Sequence, residues 1–81
     1  MKNLEVSKQI FVKSGRNYEL TYTNTNAAEV YADLAQAMIS KKLNGCSYIR
    51  SIKRVPLYNG YQRIDILYTN ETKVAFTIAD H

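Results

Sequence analysis

The chain has 81 residues, 46% of them hydrophobic, and carries a formal net charge of +4 with a sequence pI near 9.3. This length predicts one domain over residues 1–81, because so short a chain buries only about 60% of its unfolded surface. The density of Ile, Val and Tyr excludes a disordered chain. No apolar run reaches the roughly 18 residues of a membrane-spanning helix. The charged start lacks the apolar core of a signal peptide, and the one Cys cannot form an internal disulfide, so we expect a cytoplasmic domain.

Alternating apolar residues predict two strands at the start of the chain, over residues 4–13 and 18–22. Ser14, Gly15 and Arg16 between them are typical of a turn. A three-residue loop would set Val12 opposite Tyr18 and would keep the apolar side chains on one face. We therefore expect a three-residue loop with Gly15 at positive φ.

A helix is predicted over residues 27–43. Asn26 with Glu29 three residues later is typical of a helix start. Lys41 and Lys42 fall in the last turn, where the helix dipole favours positive charge. The predicted core-facing stripe consists of Ala27, Val30, Tyr31, Leu34, Ala37 and Met38.

Three further strands are predicted over residues 47–55, 61–69 and 73–79. Asn59-Gly60 is the strongest short signal for a hairpin with a two-residue turn. An odd-length loop or a bulge is expected in the turn at residues 69–72, because it sets Val74 and Phe76 beside Tyr68 and Ile66. The order β-β-α-β-β-β predicts an α+β fold, a two-layer domain with a mostly antiparallel sheet of about five strands and one helix on one face. The position of the first hairpin at either edge of the sheet stays open.

A two-residue Asn59-Gly60 turn sorts the side chains of its two strands onto two faces. The face expected under the helix carries Lys53 as its only charge, with Ile49, Val55, Leu57, Ile64, Ile66 and Tyr68. The opposite face carries Tyr48, Arg50, Ile52, Arg54, Tyr58, Tyr61, Arg63, Asp65 and Leu67. Tyrosines on a sheet can stack bases and neighbouring arginines can bind phosphate. The competing interpretation is an ordinary solvated face with an Arg54–Asp65 cross-strand pair.

The predicted helix has a second side without charge. Its members are Ala28, Ala32, Ala35 and Ile39. Small residues allow close approach of a second helix, so a homodimer through this side is expected. The alternative is that alanine simply favours helix and tolerates exposure.

Residues that would support catalysis are scarce. Cys46 is the only Cys and His81 the only His, and neither stands in a spacing typical of a metal site. The glycines form no phosphate-binding loop. We therefore predict a protein that is not an enzyme and has no metal and no cofactor, although nothing in the sequence tests carboxylate acid–base chemistry.

The leading hypothesis is a small basic module that contacts nucleic acid or an anionic nucleotide. The predicted site comprises Arg50, Arg54, Arg63, Tyr48, Tyr58 and Tyr61, extended by Lys41 and Lys42 or by Lys13 and Arg16. The alternative is a protein-binding adaptor or inhibitor, for example a phage or mobile-element protein that blocks a host defence complex such as a CRISPR effector. Tyr and Arg would then form a protein interface. A structural subunit is a third hypothesis.

Overall fold

The structure, a computed structural model, describes residues 6–40, 48–58 and 60–79. Five strands and one helix follow in the predicted order β-β-α-β-β-β. They are β1 (Ser7–Ser14), β2 (Asn17–Asn24), α1 (Ala27–Ser40), β3 (Ile49–Pro56), β4 (Tyr61–Tyr68) and β5 (Lys73–Ala79). The predicted α+β fold with one helix and an antiparallel sheet is confirmed.

The five strands form one sheet in the order β2-β1-β5-β4-β3, and every neighbouring pair is antiparallel. The first hairpin therefore joins the sheet beside β5, which answers the question that the sequence left open. The helix connects β2 at one edge to β3 at the other, so it has to cross the sheet. It lies closest to β1 and β5.

The core lies between α1 and one face of the sheet, which we call the covered face. Its buried side chains come from the helix, β4 and β5, with Ile10, Leu34, Met38 and Ile49 packed partly buried around them. The fully buried members are Val30, Ile64, Ile66, Tyr68, Val74 and Phe76. Burial raises the pKa of the Tyr68 hydroxyl above the ordinary tyrosine value. These side chains therefore form the hydrophobic core of the domain.

The start of α1 is capped as predicted. The Glu29 N–H donates to Asn26 Oδ1 at 3.1 Å. The Glu29 carboxylate accepts a hydrogen bond from Asn24 Nδ2 at 3.1 Å, and Asn24 Oδ1 accepts the Asn26 N–H at 2.9 Å. The Asn24 side chain therefore links the backbone of Asn26 to the carboxylate of Glu29 and completes the cap. The predicted helix end, with Lys41 and Lys42, lies outside the described residues.

The predicted helix stripe needs two corrections. Val30 and Ala37 are buried and Leu34 and Met38 half-buried, as expected, but Ala27 and Tyr31 are exposed. Tyr31 still meets the sheet at its rim, where its Oη accepts the Ala79 N–H at 3.0 Å. The helix therefore buries fewer residues against the sheet than the predicted core-facing stripe contains.

The predicted three-residue loop in the first hairpin is wrong. Ser14 pairs with Asn17, so the loop has two residues, and Gly15 takes the expected positive φ of 64°. Gly at the first of two loop positions fits a type II′ turn. A bulge at Thr21 then shifts the register by one residue, so that Ile10 pairs with Tyr22 on the covered face. The bulge supplies the extra residue that we had assigned to the loop.

The predicted two-residue turn between β3 and β4 is also wrong. Pro56 pairs with Gln62, and the Leu57 N–H donates to the Tyr61 carbonyl oxygen at 2.9 Å, so the loop spans residues 58–60. Gly60 has a φ of 74°, as the last position of a three-residue loop requires. This register pairs Ile52 with Ile66, whereas the predicted register would have set Lys53 opposite that buried isoleucine.

The odd-length loop between β4 and β5 is confirmed. It spans residues 69–71, and the Tyr68 N–H donates to the Thr72 carbonyl oxygen at 2.9 Å. Val74 pairs with Ile66 and Phe76 with Ile64, which places both on the covered face as expected. The expected partners, Tyr68 and Ile66, are wrong, because the loop begins one residue earlier and shifts the pairing by two residues. Glu71 takes a φ of 67°, a conformation that side chains other than glycine rarely adopt.

Candidate nucleic-acid interface

The second face of the sheet, which we call the open face, lies opposite α1. Strand alternation and the cross-strand pairs bring the side chains of residues from all five strands to it. Four of these side chains are basic and one is acidic, namely Lys13, Lys53, Arg63, Lys73 and Asp65. The open face is therefore net positive, while Glu29 and Asp33 lie on the helix, across the sheet.

A cluster of two aromatic rings and one ammonium group lies on the open face where β2, β1 and β5 meet. Lys73 pairs directly with Phe11, and Nζ of Lys73 lies 5.7 Å from the centroid of that ring. The same Nζ lies 5.3 Å from the centroid of the Tyr18 ring, across β1. Both distances are within the range of cation–π attraction. The cluster presents ring faces and a positive charge together.

A shallow depression lies beside this cluster, with Ala75 as its floor. Ala75 pairs with Gln9 on β1 and with Asp65 on β4, so two polar side chains flank a methyl group. The depression is lined by Gln9, Phe11, Arg63, Asp65, Lys73 and Ala75. A flat molecule placed over Ala75 would therefore meet an aromatic edge, two cations, an amide and a carboxylate.

The carboxylate of Asp65 is held by its neighbour along the strand. Arg63 Nε lies 3.2 Å from Asp65 Oδ1, and the Asp65 side chain is 15% exposed against 44% for Arg63. Two further ion pairs lie elsewhere: Lys13 binds Glu71 at 3.0 Å at the end of the open face, and Lys8 binds Asp33 at 3.0 Å on the covered side. Exposed pairs of this kind contribute about 1 kcal/mol or less. Lys53 and Lys73 have no carboxylate partner within the described residues.

The observed register of β3 and β4 places residues of the predicted Tyr/Arg face on different faces of the sheet. Arg63 and Tyr61 lie on the open face, but Arg54 pairs with Ile64 and therefore lies on the covered face with Ile52. Arg50 is the extra residue of a bulge in β3. Two predicted assignments to the covered face, Lys53 and Val55, are wrong, because they pair with Asp65 and Arg63 on the open face.

The remaining predicted site residues lie at the margins. Tyr58 is in the β3–β4 loop and Tyr48 lies just before β3, beside Met38 and Ile49. Lys41 and Lys42 lie outside the described residues. The predicted platform of three arginines and three tyrosines is therefore not one surface, and a nucleic-acid role for each of these residues stays a prediction.

The sequence reasoning missed Gln9, Phe11, Tyr18 and Lys73 as members of one site. Alternation in β1 does place Gln9 and Phe11 on the face away from Ile10. The missing information was that β1 pairs with β5, which brings Lys73 and Asp65 to the same surface.

The outer side of α1 is exposed. The homodimer hypothesis requires this exposure, but the exposure does not establish a dimer. Ala28, Ala32 and Ala35 are exposed, and the Ile39 side chain is 78% exposed. Self-association through this side stays a prediction.

The part of the chain that the structure describes gives little support for a metal site or for a membrane-spanning helix. Among those residues no three His, Cys, Asp or Glu side chains come together to hold a metal ion. No described helix is long and apolar enough to cross a membrane. Comparison with protein-family models, with characterised proteins and with solved structures finds no match for this chain. The proposal below therefore rests on the geometry of the open face.

Proposed function

We propose that this protein is a small, non-enzymatic binding module that binds single-stranded nucleic acid through its open face. The observation that carries the proposal is the position of Lys73 between the rings of Phe11 and Tyr18, next to the depression that Arg63 lines. This arrangement supplies the two components of single-strand binding, ring faces for bases and cations for the backbone. The net charge of +4 acts in the same direction.

A single strand fits this surface better than a duplex does. The aromatic side chains lie on a sheet, and a base can stack on them only when it is not already stacked and paired within a duplex. The basic side chains are spread over β1, β3, β4 and β5. A flexible strand can follow such a spread, whereas a rigid helix would contact fewer of the cations.

The test uses two double variants that remove the same charge from different surfaces. Arg63→Gln with Lys73→Gln removes two cations of the open face, and Arg50→Gln with Arg54→Gln removes two cations of β3, one at the bulge and one on the covered face. Fluorescence anisotropy with labelled single-stranded RNA and DNA is recorded at about 50 and about 200 mM salt. We expect the open-face variant to lose roughly tenfold or more in affinity and to reduce the salt slope by about 1.4, at about 0.7 for each phosphate contact on a single strand.

The control variant decides where the site lies. Arg50→Gln with Arg54→Gln is expected to retain affinity within about threefold, which is the general effect of lower net charge. A larger loss in this variant than in the open-face variant would move the site to β3. Absence of salt-dependent binding by the unsubstituted protein would overturn the proposal.

A protein-binding adaptor or inhibitor, including a phage or mobile-element product that blocks a host complex, is the second candidate. It is favoured by the first hairpin, where four large apolar side chains are exposed although they belong to strands: Val12, Tyr18, Leu20 and Tyr22. Tyrosines at such positions are frequent hot spots of protein interfaces. This candidate predicts a partner complex that resists about 200 mM salt, is not displaced by generic RNA, and is lost in Leu20→Glu.

We also propose that the chain forms a homodimer through the outer side of α1. Sedimentation velocity should give a dimer for the unsubstituted protein and a monomer for Ile39→Arg. Ile52→Arg serves as the matched control, because Ile52 is an exposed isoleucine of the sheet. A monomer in every case would reject this self-association.

A further inference from the structure

Asp65 is unexpected on a surface that binds phosphates. It is the only acidic side chain that the described strands bring to the open face. A carboxylate there repels the backbone of a nucleic acid, so it lowers affinity unless it makes a favourable contact of its own. Its ion pair with Arg63 joins Nε to Oδ1 at 3.2 Å. The Asp65 side chain is 15% exposed, so its carboxylate reaches solvent from the open face.

The neighbours of Asp65 define a slot for one planar group. Gln9, Ala75 and Asp65 form a row across β1, β5 and β4, with the small side chain in the middle. The two outer residues are two strand spacings apart, about 10 Å between backbones. A base lying over the Ala75 methyl group would therefore present one edge to the carboxylate and the other edge to the Gln9 amide.

The chemistry of these two side chains selects among the bases. An ionised carboxylate only accepts hydrogen bonds, and it can accept two side by side. Guanine alone presents two adjacent donors on its Watson–Crick edge, N1–H and the N2 amino group. Its Hoogsteen edge, which meets the Watson–Crick edge at O6, carries the acceptors O6 and N7, to which the Gln9 amide can donate. Cytosine and adenine each offer one amino group beside an acceptor, which the carboxylate would repel, and uracil offers a single donor.

We propose that the depression over Ala75 is a guanine-selective subsite, in which Asp65 accepts hydrogen bonds from N1 and N2 and Gln9 donates to O6 or N7. This inference rests on the proposed single-strand binding by the open face. Arg63 orients the carboxylate through Oδ1, and Lys73 neutralises the phosphate next to the bound base. The subsite reads one nucleotide, while the rest of the open face binds without sequence preference.

The experiment measures binding of the full chain to five oligonucleotides that differ at one position. Each is an oligouridine of about nine nucleotides, within the usual size of a single-strand site, with guanosine, inosine, adenosine, cytidine or uridine at the centre. Inosine keeps N1–H and O6 but lacks the N2 amino group. We expect guanosine to bind roughly tenfold to 100-fold more tightly than adenosine, cytidine or uridine, the range for one bidentate contact, with inosine between them.

Asp65→Asn provides the decisive variant. The amide keeps the size of the side chain but replaces one acceptor by a donor, so the preference for guanosine over inosine should disappear. Gln9→Ala should reduce the preference of both purines with O6 over uridine. Asp33→Asn, which removes a carboxylate on the helix side, should leave all five affinities in the same ratio. Circular dichroism verifies that each variant is folded.

The outcomes separate this inference from the proposed function. Equal, salt-dependent binding of all five oligonucleotides would overturn the guanine subsite and leave single-strand binding intact. A preference for another base, or an equal gain in affinity for every oligonucleotide in Asp65→Asn, would also overturn it, since Asp65 would then only repel phosphates. Absence of binding to every oligonucleotide would overturn both proposals.

Discussion

The two faces of the central strands β4 and β5 differ in composition although they share one backbone. On β4 and β5 the side chains of Ile64, Ile66, Val74 and Phe76 are almost completely buried beneath α1. Their immediate neighbours along the chain, among them Arg63, Asp65 and Lys73, point to the open face and carry charge. Successive residues of a strand therefore belong to a hydrophobic core and to a polar surface in turn.

The contrast between the two faces shows where the stability of such a small domain resides. Burial of apolar surface is the main favourable term in folding, and here it is concentrated on one face with a single helix over it. The open face contributes little to the core, so its composition can change at low cost in stability. A substitution should therefore affect either folding or binding, according to the parity of its position in the strand.

The largest expected effect lies on the covered face. Ile66 is 0% exposed, and its cross-strand partner Ile52 is 43% exposed. We expect Ile66→Ala to lower the free energy of unfolding by about 3 kcal/mol, because it removes buried methyl groups and leaves a cavity. Ile52→Ala should cost about 1 kcal/mol or less. Urea denaturation followed by circular dichroism measures both, and equal losses would contradict the difference in burial between the two residues.

The second effect belongs to the open face. Phe11→Leu keeps an apolar side chain but removes the ring beside Lys73, so affinity for single-stranded RNA should fall by about 1–3 kcal/mol, the contribution of one stacked base. Tyr22→Leu is the matched control, because Tyr22 lies on the same hairpin and faces the covered side near Lys8. Anisotropy titrations that show equal losses for both variants would remove the distinction between the faces.

The helix cap offers a smaller change that should affect stability alone. Asn26→Ala removes the acceptor of the Glu29 N–H and should lower the free energy of unfolding by about 1 kcal/mol. Affinity for RNA should stay unchanged, because the cap lies on the side of the helix. Asn26→Asp, which keeps an acceptor oxygen, should recover most of the loss in thermal unfolding. A fall in RNA affinity for the alanine variant would show that the two faces are coupled.

The smallest effect is expected in the loop between β4 and β5. Glu71→Gly relieves a positive φ that costs about 1 kcal/mol in a residue with a side chain, and it also removes the exposed ion pair with Lys13. We expect a net gain in stability of about 0.5 kcal/mol. Glu71→Ala removes the same ion pair but keeps the strain, so it should be the less stable of the two. Both variants free Lys13 and should raise RNA affinity slightly.

Several features of the fold can be predicted from short-range signals in the sequence. The start of α1 follows from Asn26 and Glu29, and the alternation of Val74, Phe76 and Ile78 predicts both β5 and the odd-length loop before it. These features depend on residues a few positions apart. Capping, periodicity and the φ preference of glycine act over such distances, so they can be recognised without knowledge of the fold.

The register of the two hairpins and the composition of the candidate site depend on long-range packing, which no short segment of the sequence contains. A turn of two or three residues around Gly15 or Gly60 satisfies the local backbone equally well, and the choice depends on which side chains the helix covers. The pairing of β1 with β5 joins the two ends of the chain. That pairing places Phe11, Lys73 and Asp65 on one surface, because burial of the whole apolar face, rather than any local pattern, selects the order of the strands.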